Sequence, residues 1–142
     1  MSATGLPVFD ETLQLTNIWL NDIMARLDWE DRSRAYRALR ATLHSLRDRL
    51  PPNEASQLAA QLPMLVRGIY YEGWRPAATP SKDRTIADFV AHIERAFSQD
   101  PDENPERIVR AVFDVLRERI SAGEIEDIIK VMPENIRMLW QG

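Results

Sequence analysis

Residues 37–70, RALRATLHSLRDRLPPNEASQLAAQLPMLVRGIY, return at residues 107–140 as RIVRAVFDVLRERISAGEIEDIIKVMPENIRMLW, with no gap between the two readings. Arg37/Arg107, Arg40/Arg110, Ala41/Ala111, Leu46/Leu116, Arg47/Arg117, Arg49/Arg119, Glu54/Glu124, Pro63/Pro133 and Arg67/Arg137 are identical. Between them apolar meets apolar: Leu39/Val109, Leu43/Phe113, Leu50/Ile120, Leu58/Ile128, Leu62/Met132, Val66/Ile136 and Ile69/Leu139. The same 70-residue offset reaches back to Trp19/Phe89, Leu20/Val90, Ile23/Ile93 and Leu27/Phe97. A constant period without a gap is how a duplicated structural unit reads in sequence. The expected fold is therefore all-α: two pseudo-symmetric repeats of about four helices each, packed into one compact domain, because either unit alone leaves an apolar stripe uncovered. Repeat 1 is expected at about 10–74, a linker at about 75–84 and repeat 2 at about 85–142.

The helices follow from period and punctuation. Thr16, Trp19, Leu20, Ile23, Met24 and Leu27 recur at three- and four-residue steps, predicting a helix from Asp10 to Leu27. Residues 1–9, with Gly5 and Pro7, read as loose. Asp28 is expected to cap the helix that follows, over 31–50. There Tyr36, Leu39, Leu43, Leu46 and Leu50 fall in one arc of about 80°. Pro51 and Pro52 end it, and Pro63 divides the next stretch into helices at 53–61 and 63–71.

In the second half Thr85 with Asp88 opens a helix to Phe97, and Asn104 with Pro105 opens one to Ile120. Ser121 with Glu124 forms an S-x-x-E capping box, and Pro133 starts the last helix, ending at Trp140. The 105–120 helix carries Ile108, Val112 and Val115 where its counterpart has Ala38, Thr42 and Ser45. That wider apolar arc predicts the 105–120 helix to be the most buried of the fold.

Composition excludes whole classes. The chain has 142 residues, 44% hydrophobic and 28% charged, outside the disordered regime. There is no cysteine, hence no disulfide, thiolate nucleophile or thiolate metal site. The opening MSATGLPVFDETL lacks a basic patch ahead of an apolar run, and no apolar run nears the ~18 residues of a membrane span, so a cytoplasmic protein without membrane contact is expected. Net charge is -4; residues 1–74 carry 8 Arg against 9 acids and residues 75–142 carry 10 basic against 13 acidic side chains. Neither half is a basic arm, which argues against nucleic acid as partner.

Catalytic, metal and cofactor signatures are missing from the sequence. Its only histidines, His44 and His92, face Asp114 and Asp22 in the repeat alignment and lack metal-ligand spacing. The run DPDENPE offers Asp100, Asp102 and Asn104 in calcium-loop order, but Pro105 and Ala111 stand where that loop needs glycine and glutamate. No serine has a nucleophile-elbow context and no glycine-rich phosphate loop exists. No catalytic residue, metal ligand or cofactor site is assigned, and the sequence leans away from an enzyme.

Two sets of residues carry interaction chemistry. Arg37, Arg40 and Arg47 lie within an arc of about 80° beside the apolar stripe, and Arg107, Arg110 and Arg117 copy them. Arginines there either pack their methylenes on the core and pair with acids, or together form an anion-binding face. Arg67, Tyr71 and Trp74 close repeat 1 with the aromatic and guanidinium content of a protein interface.

The segments RAYRALRATLHSLRDRLP, AAQLPMLVRGIYYEGWRP and RAVFDVLRERISAGEIEDI with MPENIRMLW resemble the bacterial domain of unknown function 2267 family, from about Thr12 to Trp140. The resemblance implies a small all-helical bacterial protein with no activity, cofactor or catalytic residue to carry over, and an association with stress-response genes. The leading expectation is a non-enzymatic interaction or scaffold module acting on an unidentified protein partner or as a homodimer. Anion or nucleic-acid binding by the arginine face is the alternative.

Overall fold

The computed structural model describes residues 2–141, and the described residues form helices and connecting turns without strands. The helices are α1 (Pro7–Leu27), α2 (Arg32–Asp48), α3 (Pro52–Ala59), α4 (Met64–Tyr71), α5 (Ile86–Ala96), α6 (Pro105–Arg119), α7 (Ala122–Val131) and α8 (Glu134–Arg137). Short 3-10 turns follow α4 at Pro76–Ala78 and α8 at Met138–Trp140. None of the helices is long and apolar enough to cross a membrane among the described residues.

The caps show why the chain breaks where it does. Asp31 accepts from Ser33 N at 2.8 Å, Thr85 from Asp88 N at 3.0 Å, and Asn104 from Glu106 N at 3.0 Å. Each satisfies a backbone donor that the first helical turn leaves unpaired. Two boundaries differ from the sequence reading. α1 begins at Pro7, because proline at the first helical position has its φ already set and gives up an amide that would be unpaired anyway. Asp10 then ties the preceding residues down, its carboxylate accepting from Thr4 N at 3.0 Å and Thr4 Oγ1 at 2.7 Å. Asp28 does not open α2; it closes α1 in the left-handed region at φ 57°, a conformation aspartate tolerates.

The Ser121–Glu124 box is only half made. Ser121 Oγ accepts from Glu124 N at 3.3 Å, but the Ser121 amide donates to Gln61 Oε1 at 2.9 Å, so Gln61 of the α3–α4 turn takes the place expected of the glutamate. Glu124 is buried with Oε1 unpartnered. Burial first, then Asp127 and Glu54, raise its pKa. A carboxyl with a raised folded-state pKa holds its proton better folded than unfolded. Stability therefore falls as pH climbs from the unfolded to the folded pKa, and stays lowered above it. Glu124→Gln is expected to raise the melting temperature at pH 7, with the gain vanishing below the ordinary value of 4.5. Thermal melts at the two pH values check it.

α2 and α6 pack on each other at the centre; α1 lies on both, α5 lies on both, and α3 packs on α7. Contrary to the apolar-arc expectation, α2 is more buried than α6, with nine of 17 residues enclosed against seven of 15. The reason is steric. Ala38, Thr42 and Ser45 are fully buried, and their short side chains admit α5 so closely that Ser45 Oγ donates to the Phe89 carbonyl at 2.8 Å. The arc misled at Tyr36 as well, which stays 40% exposed. At the other end, Phe113 stacks on Trp140 with centroids 3.8 Å apart and meets Phe89 edge-on at 5.9 Å.

Candidate functional site

Five of the six repeated arginines are engaged by hydrogen bonds, each in its own place. Arg37 donates to the Ala96 carbonyl at 3.4 Å, at the end of α5, and lies 5.1 Å from the Phe97 ring centroid. Arg107 donates to the Leu27 carbonyl at 2.7 Å, at the end of α1, and to Glu103 Oε1 at 3.2 Å. Arg47, nearly fully buried, donates to the Tyr70 and Glu72 carbonyls at 2.8 and 2.7 Å and to Asp48 Oδ1 at 2.9 Å. Arg110 donates to the Met138 carbonyl at 3.2 Å and the Gln141 carbonyl at 2.5 Å. Arg40 donates to Glu72 Oε1 at 2.9 Å and so holds that carboxyl below its usual range.

Helix C-termini expose unpaired carbonyls at the negative end of the helix dipole, and a guanidinium fork answers both. Arg67 serves α3 in the same way, through the Ala59 and Leu62 carbonyls at 2.9 Å each. Its counterpart Arg137 serves α7 through the Met132 and Lys130 carbonyls at 3.0 and 2.9 Å. Arg117 is the exception, exposed and 5.7 Å from the Trp140 ring centroid. Five of the six thus donate to carbonyls or carboxylates of the same chain.

Tyr71 and Trp74 are half-buried and pack on each other, centroids 5.1 Å apart, against the core. The histidines are placed at helix edges: His44 Nε2 lies 2.7 Å from the Ile69 carbonyl and His92 Nδ1 lies 3.0 Å from Arg95 Nη2.

Most of the exposed large apolar side chains lie elsewhere, on α1, α2 and α4, with Val131 and Met138 apart from them. Phe9 and Met64 are 46% and 49% exposed, and Leu13 and Leu65 are both 39% exposed. Leu13 and Leu65, with Leu20, Tyr36 and Ile69, border an open groove of about 500 Å³. Thr12 Oγ1 accepts from Leu65 N at 2.8 Å, which fixes the first turns of α1 on the start of α4 and so sets the groove walls. Arg32 stands at the rim, held by Asn21 Oδ1 at 2.6 Å and by Asn17. An apolar floor with a few polar rim groups suits desolvation of another apolar surface. Sequence reasoning missed this site although its signal was present. The α1 stripe does not stop at Thr16 but continues to Leu13 and Phe9, beyond the part of α1 that the core encloses.

A family model described as an uncharacterized conserved protein (DUF2267) matches residues 16–139. No curated protein matches the chain.

Proposed function

The chain belongs to the uncharacterized conserved DUF2267 family, and on that premise we propose that it is a non-enzymatic interaction module which pairs with a second copy of itself through the α1–α2–α4 groove. The observation that carries this reading is the groove walled by Leu13, Tyr36 and Leu65, with exposed Phe9 one turn before Leu13 on α1 and exposed Met64 next to Leu65 on α4. A two-fold contact needs both shapes on one surface, since each subunit offers what the other receives. Apolar side chains this exposed and this close together mark contact surfaces more often than bare solvent faces.

The groove lies on one half only, which fits a duplicated unit whose second copy has diverged. Support for two copies, about 10–74 and 85–142 around a linker at about 75–84, comes from reciprocal ties across the fold. Arg37 closes α5 and Arg107, its repeat counterpart, closes α1. Arg67 and Arg137 close α3 and α7 alike.

Anion or nucleic-acid binding through the repeated arginines is the weaker reading, because five of the six already donate to carbonyls or carboxylates. The test is sedimentation velocity on the wild-type chain and on the Leu13→Glu/Leu65→Glu double variant. The wild type is expected to dimerise with rising concentration. The variant is expected to stay monomeric with unchanged helical circular dichroism, since both side chains are exposed. A wild-type chain that remains monomeric throughout overturns the pairing.

A further inference from the structure

The linker between the halves passes over a cation whose donors are only partly used. Arg49, just past the end of α2, is 2% exposed, with its guanidinium 5.1 Å from the Phe89 ring centroid. Nη1 donates to the Ser45 carbonyl at 3.0 Å and to Ser45 Oγ at 3.1 Å. Nε and Nη2 are buried without a hydrogen-bond partner. The carboxylate that faces them, Asp83, sits 3.7 Å from Nη2, beyond hydrogen-bond reach. Leaving two donors of a buried cation unsatisfied is costly, so such an arrangement calls for an explanation.

The repeat alignment supplies one. Arg49 falls on Arg119, and His92 falls on Asp22. Arg119 gives both Nε, at 3.0 Å, and Nη2 to the Asp22 carboxylate. Where the repeat gives Arg119 a carboxylate, it gives Arg49 an imidazole on the wall of the same pocket. That imidazole is no anion. Arg95 Nη2 lies 3.0 Å from His92 Nδ1, and since arginine only donates, Nδ1 accepts and the ring is neutral with its hydrogen on Nε2.

Arg49 and His92 line one pocket of about 280 Å³, together with Arg75, Thr79, Ser81 and Asp83. Asp48, also on its wall, accepts from Arg47 Nε through Oδ1 at 2.9 Å, and its carbonyl accepts from Ser81 N at 2.6 Å. The wall thus carries Arg49, Arg75 and His92 together with Asp83 and the second oxygen of Asp48.

We infer that this pocket binds a phosphate-type oxyanion. Its oxygens take Nε and Nη2 of Arg49, with His92 Nε2–H and Arg75 as further donors, and Asp83 is the internal carboxylate it displaces. Donors from three side chains suit a tetrahedral ion better than a two-oxygen carboxylate. The site is separate from the α1–α2–α4 groove and does not depend on dimerisation.

The test is calorimetric titration with inorganic phosphate at constant ionic strength, with acetate and glycerol 3-phosphate in parallel. The wild type is expected to bind phosphate saturably and acetate at least about tenfold more weakly. Glycerol 3-phosphate binding as well as the free ion assigns the site to phosphorylated ligands; weaker binding assigns it to the ion itself. His92→Asp places beside Arg49 the carboxylate that Arg119 already has, and should abolish phosphate binding without lowering the melting temperature. Asp83→Asn, on the exposed linker, should tighten phosphate binding about tenfold by removing the competing carboxylate. Absence of saturable phosphate binding, undiminished binding by the His92 variant, or unchanged or weaker binding by the Asp83 variant overturns the assignment.

Discussion

Phe113→Ala is expected to lower unfolding stability by about 4 kcal/mol, the loss typical of deleting a fully enclosed ring. Phe113 is completely buried and lies between Trp140, stacked 3.8 Å away at 9° between planes, and Phe89, edge-on at 5.9 Å. Its removal leaves a cavity where α5, α6 and the C-terminal turn meet, and it forfeits two aromatic contacts of about 0.5–1.5 kcal/mol each. Against a total stability of roughly 5–15 kcal/mol this is a large fraction. Urea unfolding at fixed temperature measures it. Trp140 also anchors the end of the chain through that stack, so tryptic cleavage after Arg137 should quicken in the variant. A loss below about 2 kcal/mol would mean that the cavity collapses and that the stack does not hold the C-terminal turn.

The second large effect separates two residues that the sequence treats as equal. Arg47 and Arg117 occupy the same position of the repeat. Arg47→Ala removes a buried guanidinium from the Tyr70 and Glu72 carbonyls and from Asp48. The end of α4 is left with unpaired carbonyls, and the expected cost is about 3 kcal/mol. Arg47→Met, which keeps the apolar stem but none of the donors, should recover only part of that loss. Arg117→Ala gives up one exposed cation–π contact at 5.7 Å and should cost less than about 1 kcal/mol. Parallel denaturant titrations decide the matter. Equal losses would return both arginines to a common role.

The difference between those two arginines shows where sequence reading stops. It identified Arg47 and Arg117 as a pair because their neighbours repeat. The Tyr70 and Glu72 carbonyls and the Trp140 ring lie 23 or more positions away, and no local pattern encodes whether a guanidinium meets a carbonyl or a ring face. The same limit applies to the groove, whose walls Leu13, Tyr36 and Leu65 come from three helices. It applies again to Arg49, whose missing carboxylate is visible as His92 against Asp22 in the alignment but acquires meaning only once both line one pocket.

What the chain determined by itself is local and periodic. Apolar residues at three- and four-residue steps marked the helices. Thr85, Asn104 and Ser121 marked where three of them start, since a short side-chain oxygen can reach only the amides of the next turn. What the tertiary structure decided is how deep each helix lies and what each arginine does. Depth follows from how near two backbones can come, which is why small Ala38, Thr42 and Ser45 are as enclosed as any leucine. An arginine's work follows from which helix end its long side chain reaches, and that is set by the packing of the whole chain.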